Sequence, residues 1–331
     1  MSILEGKSVL VTGATGSFGK KFVTKLLADE SPSRVVVFSR DELKQYEMQQ
    51  WKHSPILNYV LGDVRDKERI YRALDGIQVV IHAAAMKQVP ASEDNPMEAI
   101  RTNVLGAENV VNACIDQEVE RIIALSTDKA ANPVNLYGAT KLCSDKLFVA
   151  ANGLSNRHRT RFSVVRYGNV LGSRGSVVPF FLEKRREGTL PITDERMTRF
   201  WITLNQGVDF VISCLEMMQG GEIFVPKIPS MRIMDVAEAV APECRTEMIG
   251  IRPGEKLHEV MITQDDAINV LELNDRYIIQ PRATWWDQQH YPRTTGGSPV
   301  VEGFQYKSDI NDDWLSIEDL RRLLKSEGIE Q

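Results

Sequence analysis

The chain has 331 residues, a formal charge of −5 at pH 7, 43% hydrophobic and 26% charged residues. That composition excludes a disordered, collagen-like or disulfide-stapled chain, and the length allows one large or two modest domains with a real core. The acidic balance excludes a protein that binds nucleic acid by neutralising phosphates, yet it leaves room for a compact anionic ligand held by a few placed donors.

Residues 8–11 form an apolar run without polar alternation, the pattern of a parallel strand covered on both faces. After a glycine-rich turn, Phe18, Phe22, Val23, Leu26 and Leu27 recur near helical spacing and predict a helix that buries one face. Further strand runs are expected at 34–38, 56–61, 78–82, 121–126 and 162–165, with room for a crossover helix between them; the stretch 39–55 is the least regular. This alternation predicts an α/β fold with a Rossmann-like, doubly wound parallel sheet. Beyond Gly168 the strands shorten and prolines punctuate the chain, which predicts a smaller, irregular α/β substrate-binding lobe. The expected division is 1–170 for the dinucleotide-binding domain, with 204–225 returning to it, and 171–331 for the lobe. Trp285-Trp286 is read as lobe surface or a subunit contact. The tail 316–324 predicts a helix capped by Ser316 with Asp319 three residues on. Its face of Ile317, Leu320 and Leu324 suits either lobe core or a subunit contact.

The four cysteines lie far apart without a CxxC pair, which suggests reduced thiols and a cytoplasmic chain. No apolar run approaches the ~18–20 residues that cross a bilayer, and the first strand starts too early to leave room for a signal peptide. The histidines at 53, 82, 158, 258 and 290 form no HxxxH pattern, so no metal is expected. His82 reads as a packed, hydrogen-bonded residue at a strand end.

Gly13, Gly16 and Gly19 in the run Thr12–Gly19 follow a strand and open a helix, with Thr15, Ser17 and Phe18 between them. A turn this tight needs positive φ or close backbone approach, and free amides at a helix start suit a pyrophosphate. The second strand ends in Ser39-Arg40-Asp41 rather than in a lone acid that would grip a ribose 2′-hydroxyl. Ser39, Arg40 and Lys44 suit a 2′-phosphate and so favour NADP over NAD, unless Ser39 or Asp41 merely caps the next helix. Asp63, after the third strand, is placed beside the adenine or in an ordinary turn.

Tyr137 and Lys141 stand at i and i+4, one above the other on a helix face. An ammonium beside a phenol favours the phenolate, a usable base toward an alcohol, while the lysine also reaches the cofactor ribose. Together with the glycine turn about 120 residues upstream, this spacing resembles the extended short-chain dehydrogenase/reductase superfamily. The strand ending at Ser126 continues into Thr127-Asp128-Lys129, at the carboxyl end where ligands of open α/β sheets bind. An adjacent acid and amine suit a reaction that removes one proton and delivers another; a surface ion pair is the alternative.

The runs STDKAANPVNLYGATKL, HAAAMKQVP, VRYGNVLGSRGSVVPFF, MTRFWI, EIFVPKIPSM and GIRPGEKLHE together resemble the soluble, inverting 4,6-dehydratases of UDP-N-acetylglucosamine that begin pseudaminic acid biosynthesis. The resemblance covers about residues 5–280. Membrane-anchored, retaining relatives carry an additional N-terminal membrane region and typically have Met where this chain has Tyr137. The resemblance implies that Tyr137 takes the 4-hydroxyl proton, that a neutral Lys129 abstracts the proton on carbon 5, and that a protonated Asp128 serves the leaving 6-hydroxyl. The split between the last two could be shared through water. Thr127 joins the catalytic group, and Val64, Ala83 and Val170 join the cofactor contacts. Hydride returned to carbon 6 and a proton delivered on the opposite face of carbon 5 would give UDP-2-acetamido-2,6-dideoxy-β-L-arabino-hex-4-ulose. Asn169, Arg174 and Arg252 are candidates for the UDP diphosphate, Lys87 for the sugar or its first phosphate, and 175–179, including Val178, for the uracil slot. Arg252 could equally be a solvated loop cation. A homo-oligomer is implied, with no nucleic-acid or membrane partner. A UDP-sugar 4-epimerase and a non-catalytic NADP-binding regulator remain the alternatives.

Overall fold

A computed structural model describes residues 2–51, 53–155, 160–173, 175–288 and 290–329. In its first half β1 (Ser8–Thr12), α1 (Ser17–Lys25), β2 (Arg34–Ser39), α2 (Glu42–Trp51), β3 (Leu57–Leu61), α3 (Lys67–Ala73) and β4 (Val79–His82) alternate. There follow α4 (Val89–Asp94), α5 (Pro96–Ile100), α6 (Gly106–Asp116), β5 (Arg121–Thr127), α7 (Leu136–Leu154) and β6 (Arg161–Tyr167). Every residue of β1 is buried, as its unbroken apolar run requires of a strand covered on both faces. The parallel part of the sheet runs β3-β2-β1-β4-β5-β6 and ends on β10 (Ile223–Pro226), delivered by α9 (Leu204–Met217). Strand order therefore reverses between β1 and β4, and the crevice outside their carboxyl ends is where a ligand of such a sheet sits.

The stretch 39–55, which looked least regular, holds α2 over Glu42–Trp51, and Asp41 caps it: its carboxylate accepts the Lys44 amide at 3.0 Å. The buried face of α2 is Gln45 and Met48, not an aliphatic stripe, and the Gln45 amide donates to the carbonyls of Ser39 and Val60.

The second half holds β7 (Asn169–Val170), α8 (Val177–Lys184), β8 (Thr189–Ile192), β9 (Thr198–Ile202), β11 (Ser230–Arg232), α10 (Ile233–Val240), β12 (Arg245–Met248) and β13 (Val260–Ile262). It closes with β14 (Val270–Glu272), β15 (Arg276–Ile279), α11 (His290–Thr295), β16 (Ser298–Pro299), β17 (Tyr306–Lys307) and α12 (Ile317–Ser326). More of this half returns to the main sheet than 204–225. Antiparallel β15, β14 and β16 extend the sheet beyond β10, and Val270, Leu271, Tyr277 and Ile278 join its core. Trp285 and Trp286 belong to this return rather than to the lobe surface. Trp286 donates to Gln280 at 3.1 Å and packs on Tyr291, while Trp285 lies across Gly153 and Gly221, where a Cβ would come within 2.9 and 2.7 Å of the indole.

The lobe has its own core. Val178, Phe181, Leu190, Trp201, Met231, Val236, Leu320 and Leu324 form it, with α10 packed on α12. Ser316 and Asp319 make the expected capping box, and the apolar face of α12 is lobe core.

Candidate active site

A cleft of about 810 Å³ opens over the carboxyl ends of β1, β4 and β5 and is walled on its far side by the lobe. Its dinucleotide half is set by backbone. Gly13 has φ +64°, and a Cβ there would lie 2.8 Å from the Ala84 nitrogen; a Cβ on Gly19 would lie 2.4 Å from Ala14 Cα, so α1 packs directly on the turn. No side chain caps α1 and no acid stands in its first turn, so the amides at its start face the cleft beside Thr15, Gly16, Ser17 and Phe18. This is a cradle for a pyrophosphate, and the missing Cβ at Gly13 lets its turn lie directly on the end of β4; the residues fit a dinucleotide. Thr12 ties the crevice together. Its hydroxyl accepts the amides of Ala83 and Ala84 at 3.1 Å, leaving its own proton for Nδ1 of His82 at 2.9 Å. Burial, with the charge of Lys141, pushes the His82 imidazole down to about 3, so it is neutral and structural.

At the end of β2, Ser39 bonds Thr15 at 2.8 Å and also accepts the amide of Asp41. Asp41 is the helix cap, and its other oxygen binds Lys44 at 2.5 Å, which holds its carboxyl below the usual range. Arg40 is exposed on the cleft rim, 3.6 Å from Asp63. Burial works against the Asp63 anion, but Arg65 at 2.7 Å keeps its carboxyl low, so Asp63 is an ion-paired residue of the wall. Val64, Ala83, Lys141 and Val170 line the same half. Burial lowers the Lys141 ammonium and the nearby Asp145 carboxylate partly restores it. Asp145 is itself held by Ser126 at 2.8 Å and by buried Arg166 at 3.3 Å.

The catalytic half is built on a single turn after β5. Asn135 caps α7 by accepting the Gly138 amide at 2.7 Å, which sets Tyr137 in the first turn. A Cβ on Gly138 would fall 2.1 Å from the Lys129 carbonyl. The glycine within the YxxxK spacing is therefore what lets α7 rest on the Asp128-Lys129 turn. Thr127, Lys129 and Tyr137 face the cleft, whereas Asp128 is sealed behind the wall. Its Oδ1 accepts from Thr127 at 2.9 Å and from Lys129 at 3.0 Å, and its Oδ2 has no hydrogen-bond partner. Burial and the charge of Glu259 raise the Asp128 carboxyl, favouring its protonated form. Burial pushes the Tyr137 phenol up to about 12, opposed by the nearby Lys129 charge and the Thr127 hydrogen bond.

A neutral resting Lys129 is not what the structure shows. Burial alone would lower its pKa, but carboxylates at 3.0 Å (Asp128) and 3.3 Å (Glu259) outweigh burial and hold the ammonium charged. Glu259, Arg199 and Lys256, all supplied by the second half of the chain, were not legible as site residues. The run GIRPGEKLHE carries two of them, but no spacing ties it to a turn some 130 residues upstream.

On the substrate side Lys87, Asn169 and Arg252 line the cleft, and Arg252 stands half-exposed 3.9 Å from Glu255. Partial burial and the Lys129 charge lower the Lys87 ammonium. Val178 does not reach the cleft. It is wholly buried in the lobe core, and Val177 faces the cavity in its place because successive helical residues point about 100° apart. Gly175 and Ser176 line the cleft beside it. Arg174 lies outside the described residues, as does His158. Among the described residues no group of three His, Cys, Asp or Glu could hold a metal ion, and no helix is long and apolar enough to cross a membrane.

A family model described as polysaccharide biosynthesis protein matches residues 9–281. The chain is 54% identical over 324 residues, 96% of this chain and 97% of the relative, to a UDP-N-acetylglucosamine 4,6-dehydratase (inverting) of Campylobacter jejuni subsp. jejuni. It is 37% identical over 326 residues, 96% and 95% of the two chains, to a UDP-glucose 4-epimerase of Rickettsia akari. The solved structure of Pen from Bacillus thuringiensis is similar at a TM-score of 0.89, with 36% identity and 99% of each chain covered.

Proposed function

The chain belongs to the polysaccharide biosynthesis protein family, and we propose that it works there as an NADP-dependent, inverting UDP-N-acetylglucosamine 4,6-dehydratase. The observation that carries this reading is the Asp128–Lys129 pair, 3.0 Å apart, set beside Tyr137 over the dinucleotide cradle. Epimerisation at carbon 4 needs only the phenol, whereas loss of water across carbons 5 and 6 needs a base and an acid. The 54% identity to the Campylobacter dehydratase supports the same choice.

The bound nicotinamide supplies a hydride acceptor for carbon 4 and a donor for carbon 6, so the overall reaction is redox-neutral. Everything else is protein chemistry. Tyr137 takes the proton of the 4-hydroxyl, helped by the nearby Lys129 charge. The resulting ketone acidifies the proton on carbon 5. Lys129 becomes a base by passing its extra proton to Asp128, whose burial favours the neutral carboxyl. Its free amine then takes the carbon 5 proton, and Asp128 replenishes the proton that leaves with the 6-hydroxyl as water, relayed through Thr127 or Lys129 because Asp128 itself is walled off. Protonation of carbon 5 on the opposite face inverts it. Lys87, Asn169 and Arg252, together with Arg174, are the donors for the UDP diphosphate. Arg40, exposed on the rim beside Ser39, suits a 2′-phosphate and favours NADP over NAD.

The test is turnover of UDP-N-acetylglucosamine in deuterated water. A 4-keto-6-deoxy product, inverted and labelled at carbon 5 by NMR, is expected. A 4-epimer, or unchanged substrate, overturns the reading.

A further inference from the structure

We propose that Glu259, carried just before β13, is a positioning residue for the elimination: its buried carboxylate sets the protonation of the Asp128–Lys129 pair some 130 residues away in the chain. The inference rests on the dehydratase reading and deepens it.

The geometry is specific. Glu259 is 2% exposed, and its backbone is clamped on both sides by Ser308, whose hydroxyl accepts the Glu259 amide and whose amide donates to the Glu259 carbonyl, both at 2.9 Å. The Ser308 hydroxyl also bonds Thr198 at 2.7 Å, which ties this point to β9. From this fixed base Oε1 reaches Lys129 Nζ at 3.3 Å and lies 3.8 Å from Arg199 Nε, while Oε2 lies 3.9 Å from Lys256 Nζ without a hydrogen-bond partner. Lys129 is the ammonium that both buried carboxylates share. Asp128 faces it from the same turn, Tyr137 from α7, Lys87 from beyond β4, and Arg199 and Lys256 from the second half of the chain. Behind them Arg166 and Asp145 are paired with each other.

The charges divide unequally. Glu259 lies within 4 Å of Lys129, Arg199 and Lys256, whereas Asp128 lies that close to Lys129 alone among the described cations. Two anions cannot both be fully compensated by one shared ammonium, so the less compensated one is the better proton acceptor. That anion is Asp128, whose Oδ2 is sealed and unpartnered. Glu259 thus keeps protons on the pair, where the elimination uses them. In that step an Nζ–H bond of Lys129 breaks as an Asp128 O–H bond forms. The amine then takes the carbon 5 proton, the C–H electrons form the carbon 5–carbon 6 double bond, and the 6-hydroxyl leaves as water with the proton that Asp128 supplies. The pair ends as it began, carboxylate facing ammonium, with atoms and charge balanced.

Removing a negative charge lowers the pKa of every group it faces. In Glu259→Gln the pH profile of deuterium incorporation at carbon 5 is therefore expected to move to lower pH, by about 1–3 units, with kcat affected more than KM; Glu259→Asp should move it back. Lys256→Met removes a cation from the same cluster and should shift the profile to higher pH. If Glu259→Gln does not fold, Lys256→Met alone decides. A profile that stays in place in Lys256→Met, or in a folded Glu259→Gln, overturns the proposal while leaving the dehydratase reading intact. A wild type without dehydration at any pH overturns that reading instead. In that case a carbon-13 NMR titration of the Asp128 carboxyl, assigned with Asp128→Asn, still tests Glu259: a lower Asp128 pKa in Glu259→Gln supports the inference and an unchanged one sinks it.

Discussion

The two halves of the cleft are built by different means. The dinucleotide half is local: Gly13, Gly16 and Gly19 lie within one turn and one helix start, and their backbone alone shapes the cradle. The catalytic half is convergent. Lys129 from the turn after β5, Tyr137 from α7, and Glu259, Lys256 and Arg199 from the second half of the chain meet around one ammonium. A local site is conferred by spacing and tolerates change elsewhere, whereas a convergent site depends on how distant segments of the chain are packed together. Substitutions in the two halves should therefore fail differently.

The largest effect is expected at the centre of convergence. Lys129→Ala should lower elimination on the order of 10²–10⁴-fold and abolish deuterium incorporation at carbon 5. The cradle does not use Lys129, so dinucleotide affinity, followed by fluorescence titration, should hold. Full dehydration by the variant would remove Lys129 from the chemistry and dissolve the contrast between the halves.

Gly138→Ala sharpens the comparison because it tests packing without touching a reacting group. A Cβ 2.1 Å from the Lys129 carbonyl cannot be accommodated by a rotamer change, so either α7 or the Asp128-Lys129 turn must move. A displacement near 1 Å costs about 10²-fold in turnover, and the strain should also lower the melting temperature by the equivalent of about 1–3 kcal/mol. Wild-type turnover in a folded Gly138→Ala protein would show that the contact between helix and turn is not what positions the pair.

The same contrast explains what was legible in the sequence. β1, β2, β4, β5 and β6 announce themselves because strands buried on both faces cannot alternate with polar residues. The glycine turn and the Tyr137–Lys141 pair are legible because period and turn chemistry are local properties. α2 was hidden because its buried face is Gln45 and Met48, and the antiparallel return was hidden because its strands are only two to four residues long. Val178 was misplaced by one residue of helix phase. Asp128 was found by its position at a strand end, but that it stands behind the wall is a fact of packing that no spacing encodes. Glu259 was invisible for the deepest reason: only tertiary packing brings it to a partner some 130 residues away in the chain.

The smallest effect belongs to the local half. Arg40 stands exposed on the rim and shares Asp63 with Arg65, so a 2′-phosphate would gain one more partner for a side chain that water already solvates. An exposed charge pair is worth little, and Arg40→Ala should weaken NADP binding only about five- to tenfold. NAD, which lacks the phosphate, should bind the variant as it binds the wild type, so the ratio of the two dissociation constants carries the result. The loss should also shrink as salt rises, since the contact is screened by ions. A variant that loses NAD and NADP equally would assign Arg40 to the turn's architecture instead of the phosphate. Dinucleotide preference would then have to come from Ser39, which is already bonded to Thr15 and the Asp41 amide, or from Lys44, whose ammonium is already committed to Asp41.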